Sequence, residues 1–143
     1  KETRQPTITP VKVFLDATIL FSAANSRWLT RHLLEALQES GVQLCASKYV
    51  WDEAKRNVLK HFPNHITGLE NLYCRLKWIE DAVIPFGLLE NLPEKDKPVL
   101  FAAINGKCNY LLTGDYKHFG EWMGREICEV KIVNQRQITE DLF

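Results

Sequence analysis

The chain has 143 residues, 45% of them hydrophobic and 25% charged, the mixture of a soluble globular domain with one core. Eighteen Lys and Arg balance eighteen Asp and Glu, so no global positive field gathers nucleic acid, and such a partner requires a local basic patch. No window approaches the ~20 apolar residues that span a bilayer, and the polar stretch 1–10 reads as a flexible tail rather than a signal peptide. The expectation is a cytoplasmic protein with a single domain over 11–143.

Taken in chain order, VKVFL (11–15) is a β-rich run that stops at Asp16. A helical stretch follows, with Leu29, Leu33, Ala36 and Leu37 spaced for one face and Gly41 as the stop. VQLCA (42–46) reads as a second buried strand. Ser47 is placed to cap a helix running to about Phe62, with Val50, Ala54 and Val58 on one face, and Pro63 ends it. The recurrence of Ile66, Leu69, Leu72, Tyr73 and Leu76 predicts a further helix over 65–80. AVIPF (82–86) reads as an edge strand or strand end, and a polar turn at Pro93–Asp96 leads into a buried helix that begins near Pro98. CNYLLT (108–113) is a strand ending at Gly114–Asp115, and EVKIV (129–133) is the last strand. This alternation predicts an α/β fold, a three-layer α/β/α sandwich with a mostly parallel central sheet.

Cys45, Cys74, Cys108 and Cys128 have no C-x-x-C spacing, so neither a disulfide framework nor a thiolate zinc site is expected. Pro63 between His61 and His65 keeps those two from sharing a helical face.

Four carboxylates stand out. Asp16 and Asp115 each follow a buried strand, and parallel strands deliver both to one sheet edge, where open α/β sheets bind ligands. Asp96 stands at the expected start of the helix before Asp115's strand, and Glu53 lies beside the apolar face of the 47–62 helix. Each has a plainer reading: Asp96 as an N-cap, Asp115 as a turn residue, Glu53 as a solvated helix acid. Asp16 is the hardest to dismiss, since a charge directly behind a buried strand needs a partner or a metal. Two carboxylates ~4 Å apart repel by roughly 4 kcal/mol at an effective dielectric near 20, so a cluster of them calls for a hard divalent cation with oxygen ligands. The chemistry that follows is metal-assisted phosphodiester hydrolysis.

At these residues the sequence resembles the PIN-domain nucleases. VFLDATILFSA (13–23) is similar to that family's first motif, SKYVWDEAKRNV (47–58) to its second, and EKDKPVLFAAINGKCNYLLTGDYKHF (94–119) to its third and fourth. The agreement in order, spacing and residue type runs from about Val11 to Val133, and its most specific piece is TGDYKHF (113–119). Thr18 stands where the family often has Asn.

The resemblance implies Mg²⁺ or Mn²⁺ held by Asp16, Glu53, Asp96 and Asp115, with single-stranded RNA as the substrate. Thr18 and Thr113 would fix the carboxylate rotamers. Lys48, Lys55, Arg56, Lys117 and His118 are candidate phosphate contacts, and Tyr49, Tyr116 and Trp122 candidate base-stacking rings. One branch of the family comprises toxins of bacterial toxin–antitoxin pairs, which adds an antitoxin protein or a second copy of the chain as expected partners. An antitoxin helix would then seat in an apolar groove near the 19–40 and 47–80 helices. The competing reading is a catalytically silent PIN-fold module that binds RNA or protein. A phosphoaspartate enzyme has little support, since Thr18 replaces the second Asp it would need, and no glycine-rich phosphate loop precedes a helix.

Overall fold

A computed structural model describes residues 9–83 and 92–143, and for Tyr116 the backbone alone. The predicted tail falls mostly on residues 1–8 and the AVIPF run mostly on 84–86, outside the described residues. The first apolar run forms strand β1 (Lys12–Leu15), and Asp16 caps helix α1 (Ala17–Ala23). The helical stretch predicted after Asp16 is broken: Asn25 Oδ1 accepts from Arg27 N at 2.9 Å, and the turn it makes separates α1 from α2 (Leu29–Glu39). Gly41 stops α2 with φ near +90°, a backbone that favours glycine. Strand β2 (Gln43–Ala46) and helix α3 (Lys48–His61) follow. Ser47 holds the N-cap position of α3 but makes no side-chain cap bond; its hydroxyl is buried and unpartnered.

The helix expected over 65–80 is much shorter. Helix α4 covers Ile66–Glu70, a 3₁₀ turn covers Tyr73–Arg75, and Lys77–Trp78 form strand β3. The open edge of β2 outcompetes the remaining helical turns, because pairing with it satisfies backbone groups of both segments: Cys45 faces Lys77, Ala46 faces Trp78, and Ile79 N donates to Ala46 O at 2.8 Å. Helix α5 (Lys97–Asn105) starts with Pro98 in its first turn, ahead of β4 (Tyr110–Leu112) and the one-turn helix α6 (Tyr116–Phe119). A hairpin of β5 (Glu126–Ile127) and β6 (Val130–Val133) then leads to α7 (Gln135–Leu142).

The sheet order is β3-β2-β1-β4-β6-β5, parallel throughout except for the β5–β6 pair. Successive residues Val13, Phe14 and Leu15 are all fully buried. Since neighbouring side chains on a strand point to opposite faces, both faces of the sheet are covered. That defines the α/β sandwich. Of the four cysteines, Cys45 and Cys108 belong to this core, Cys74 and Cys128 are exposed, and all are free thiols. No described helix is long and apolar enough to cross a membrane.

Two backbone positions make opposite predictions. At Gly68 an added Cβ would fall 1.9 Å from the carbonyl oxygen of Ala24, where α4 meets the end of α1. Buried Arg31 ties the same junction, donating to Ala23 O at 2.9 Å and Gly68 O at 2.5 Å. Gly68→Ala is therefore expected to destabilise the protein by about 2–3 kcal/mol. In the β5–β6 turn, Cys128 and Glu129 both carry positive φ (50° and 70°), the two-residue hairpin geometry that favours Asn-Gly. Glu129→Gly should raise stability by about 1 kcal/mol. Urea unfolding of the two variants beside the parent reads both signs.

Candidate metal centre

Strands β1 and β4 are neighbours in parallel register, Leu15 opposite Leu112, so the residues that follow them emerge together. Asp16 N donates to Leu112 O at 3.0 Å, which continues the ladder into the site. The Asp16 carboxylate is buried, and its contacts hold it in one rotamer. Oδ1 accepts from Ala17 N at 2.7 Å, and Oδ2 accepts from Thr113 Oγ1 at 2.6 Å and Thr18 Oγ1 at 3.4 Å. Thr113 Oγ1 in turn accepts from Asp115 N at 3.0 Å, and Thr18 Oγ1 accepts from Gly114 N at 3.0 Å. The two threonines thus stitch the loop carrying Asp115 to the loop carrying Asp16.

Asp115 caps α6, with Oδ1 accepting from His118 N at 3.1 Å. Its Oδ2 lies 2.7 Å from His118 Nδ1, and the same nitrogen lies 3.2 Å from Asp96 Oδ2. The first contact is a hydrogen bond. The second is an ion-pair distance without hydrogen-bond geometry, so Asp96 Oδ2 is buried with no hydrogen-bond partner. Asp96 stands at the N-cap position of α5, yet its side chain makes no cap bond. Capping therefore does not account for this carboxylate. Because α5 runs back from the edge where β4 ends, its first residue and Asp115 meet around one imidazole. Glu53 is half-buried on α3, close enough to raise the pKa of both Asp16 and Asp96 through like charge.

The electrostatics follow from burial. Desolvation pushes the Asp16 carboxyl up to about 6, aided by the charges of Glu53 and Asp115 and opposed by the bonds from Thr113 and Ala17. Desolvation also raises Asp96, partly offset by His118. The donor set fits a divalent cation: carboxylates that repel one another, one buried oxygen with no hydrogen bond, and Asp96, Asp115 and His118 each presenting a ligand atom within 4.8 Å of the others.

The remaining sequence candidates are spread out. Lys55, Arg56 and Lys117 are exposed, whereas Lys48 is held by Asp52 at 2.5 Å one turn on. His118 sits between two carboxylates rather than on the rim. Tyr49 donates its hydroxyl to Lys95 O at 2.7 Å, which pins the Asp96 loop to α3 and removes it as a free stacking ring. Trp122 is half-buried against the core with the Arg125 guanidinium 5.3 Å from its ring centre. The side chain of Tyr116 lies outside what is described. Sequence reading missed the Tyr49–Lys95 clamp, and a tyrosine one turn ahead of Glu53 was its only signal.

The sheet order and the helices on both faces define a mostly parallel α/β sandwich. No family sequence model matches the chain, nor does any curated protein. Solved structures do. VapBC2 from Rickettsia felis, bound to a DNA fragment from its promoter, superposes with a TM-score of 0.65 at 18% identity, over 87% of this chain and 98% of that one. DNA-bound VapBC from Salmonella typhimurium gives 0.61 at 15% identity, over 87% and 98%. VapC20 from Mycobacterium tuberculosis, a sarcin-ricin loop cleaving toxin, gives 0.54 at 10% identity, over 76% and 94%. At such identities the likeness is one of fold, and the chain has the fold of these proteins.

Burial of Asp16 carries a pH signature. The unfolded carboxyl titrates near 3.8 and the folded one near 6. Between those values the folded chain holds the extra proton, so this contribution is full below the lower value and lost as pH rises through the upper one. Ionised Asp16 then costs the metal-free fold about 2–3 kcal/mol. Metal-free Asp16→Asn is expected to unfold at higher temperature than the parent at about pH 8, with the gap closing toward about pH 4. Calorimetric melts across pH check this; a gap independent of pH would refute it.

Proposed function

We propose that the chain is a divalent-metal-dependent endoribonuclease acting on single-stranded RNA, the toxin of a toxin–antitoxin pair. The observation that carries this reading is Asp115 at the carboxyl edge of a parallel sheet, grouped with Asp96 and His118 and sharing with Glu53 the like-charge field on Asp16. A PIN-fold neighbour that cleaves the sarcin-ricin loop supports it.

Asp16, Asp96 and Asp115 would hold Mg²⁺ or Mn²⁺, with Glu53 at the side. A cation bound there supplies charge neutralisation for the phosphodiester and acidifies a water nucleophile. The protein's own contribution is positional. Thr113 and Thr18 fix the Asp16 rotamer, Tyr49 fixes the loop of Asp96, and Glu53 orients the attacking water and accepts its proton. Arg56, Lys55 and Lys117 are exposed to meet flanking phosphates.

An antitoxin would seat on the aromatic surface where α1 and α3 end and α2 begins. Phe62 stacks on His65 at 5.0 Å between ring centres and tilts against Phe21 at 5.8 Å, and Trp28 meets it edge-on at 5.9 Å. Trp28, Leu29, Leu59 and Phe62 remain exposed. A groove of about 320 Å³ lined by Thr18, Phe21, Ser22, Glu53, Asn57 and His61 joins this surface to the acidic site. A segment lying on the surface therefore reaches the carboxylates. The VapBC neighbours support a partner of this kind.

The test is cleavage of labelled single-stranded RNA with Mn²⁺ or Mg²⁺, beside EDTA and Asp96→Asn. Cutting is expected with metal, lost in EDTA, and at least about 100-fold slower in the variant. Cutting that persists in EDTA or is unchanged in Asp96→Asn would defeat the assignment. Absence of both cutting and Mn²⁺ binding would favour the silent module.

A further inference from the structure

His118 occupies a place that a rim phosphate contact would not. Its side chain is 18% exposed, and Nδ1 lies 2.7 Å from Asp115 Oδ2 and 3.2 Å from Asp96 Oδ2. Those separations are those of neighbouring corners in a six-coordinate shell with bonds of ~2.1 Å. The local chain enforces the position. Asp115 Oδ1 takes the backbone N–H of His118, which closes one turn and brings the imidazole back over the acid at i−3. The next residue, Phe119, is fully buried and anchors that turn in the core.

The Asp96 side of the contact is the second observation. Its carboxylate side chain is 10% exposed, and its Oδ2 accepts no hydrogen bond. A buried, unpartnered carboxylate oxygen is costly unless a cation completes it. Here the oxygen points at the group formed by His118 and Asp115, and one ligand atom from each of the three residues lies within 4.8 Å of the others.

We propose that His118 is itself a ligand of the metal site, giving it an Asp96–Asp115–His118 donor set that favours Mn²⁺ over Mg²⁺. The inference rests on the metal-dependent reading above and adds a nitrogen to an otherwise oxygen-donor site. Carboxylates and water suit Mg²⁺, whereas imidazole binds it poorly and suits first-row transition ions. No other histidine stands among these ligands: His61 lines the adjoining groove, His65 is stacked on Phe62, and His32 lies beside Glu35 on α2. His118 thus acts as a specificity-determining ligand for the ion.

The experiment loads the full chain with one equivalent of Mn²⁺ and reads electron spin-echo envelope modulation for directly bound ¹⁴N. Mn²⁺ and Mg²⁺ affinities follow by calorimetry for the parent, His118→Gln and His118→Asp. The expected result is a nitrogen modulation in the parent that both variants lose. Mn²⁺ affinity should fall at least about tenfold in His118→Gln, the loss that removal of even an outer partner causes. In His118→Asp binding returns with the preference moved toward Mg²⁺. Tight Mn²⁺ binding without nitrogen modulation in the parent would overturn the proposal while leaving the metal-dependent reading in place. Equal or tighter Mn²⁺ binding by His118→Gln would do the same, and would make His118 a counter-charge. No Mn²⁺ binding by the parent would overturn both.

Discussion

Everything at the carboxyl edge depends on the parallel pairing of β1 with β4. The register is pinned at both ends: Lys12 N donates to Asn109 Oδ1 at 2.8 Å and Asn109 N to Lys12 O at 2.9 Å, while Asp16 N donates to Leu112 O at 3.0 Å. A slip of one residue would turn every side chain of β1 to the other face and carry Asp16 away from Thr113. With the register held, the 2.6 Å bond from Thr113 fixes the first carboxylate, and the same hydroxyl receives Asp115 N. One threonine therefore sets the relative position of two acids that are 99 residues apart in sequence.

Holding carboxylates in this way opposes folding. Asp16 and Asp96 are both raised by desolvation and by their acidic neighbours, so the metal-free site carries an electrostatic cost. The elements around it are correspondingly well buried. Strands β1 and β2 are buried through their last three residues, and Val50, Ala54 and Val58 seat α3 on the core. Local strain tolerated at a site persists only where its surroundings over-determine it, and a cation of opposite charge removes the reason for the strain. A cation bound there would link binding to folding, stabilising the native state with the logarithm of its concentration over Kd.

Much of this was legible in the residues. Asp16 and Asp115 declare themselves because each interrupts an apolar run where a buried strand must end, and parallel strands leave only one edge on which to place them. The α/β order follows from the same runs. Legibility fails where pairing geometry overrides local periodicity. Leu69, Leu72 and Leu76 do point inward at helical spacing, yet Lys77 and Trp78 join β2 because its edge needs hydrogen-bond partners. It fails again at His118 and Tyr49. An exposed-looking histidine three residues beyond an acid reads as a surface cation until the Asp115 cap folds it back, and the Tyr49–Lys95 bond spans 46 residues with no pattern to announce it.

The zero net charge, at first sight awkward for the proposed RNA substrate, carries little weight once the site is placed. At physiological salt charges are screened beyond about 8 Å, so a phosphate entering the cleft responds to the groups around it and hardly to the sum over the chain. Helical phase decides which groups those are. On α3, residues three or four apart share a face, so Glu53 is accompanied by Tyr49, Arg56 and Asn57. Asn57 lines the groove with Glu53, and the Arg56 charge reaches Tyr49. On the proposed reading, Arg56 is the α3 cation placed to offset the carboxylates for an incoming phosphate. Lys48, though nearer the start of the helix, is already neutralised by Asp52. A neutral chain can present a locally discriminating surface when its cations are divided in this way between those that are paired and those left to the cleft.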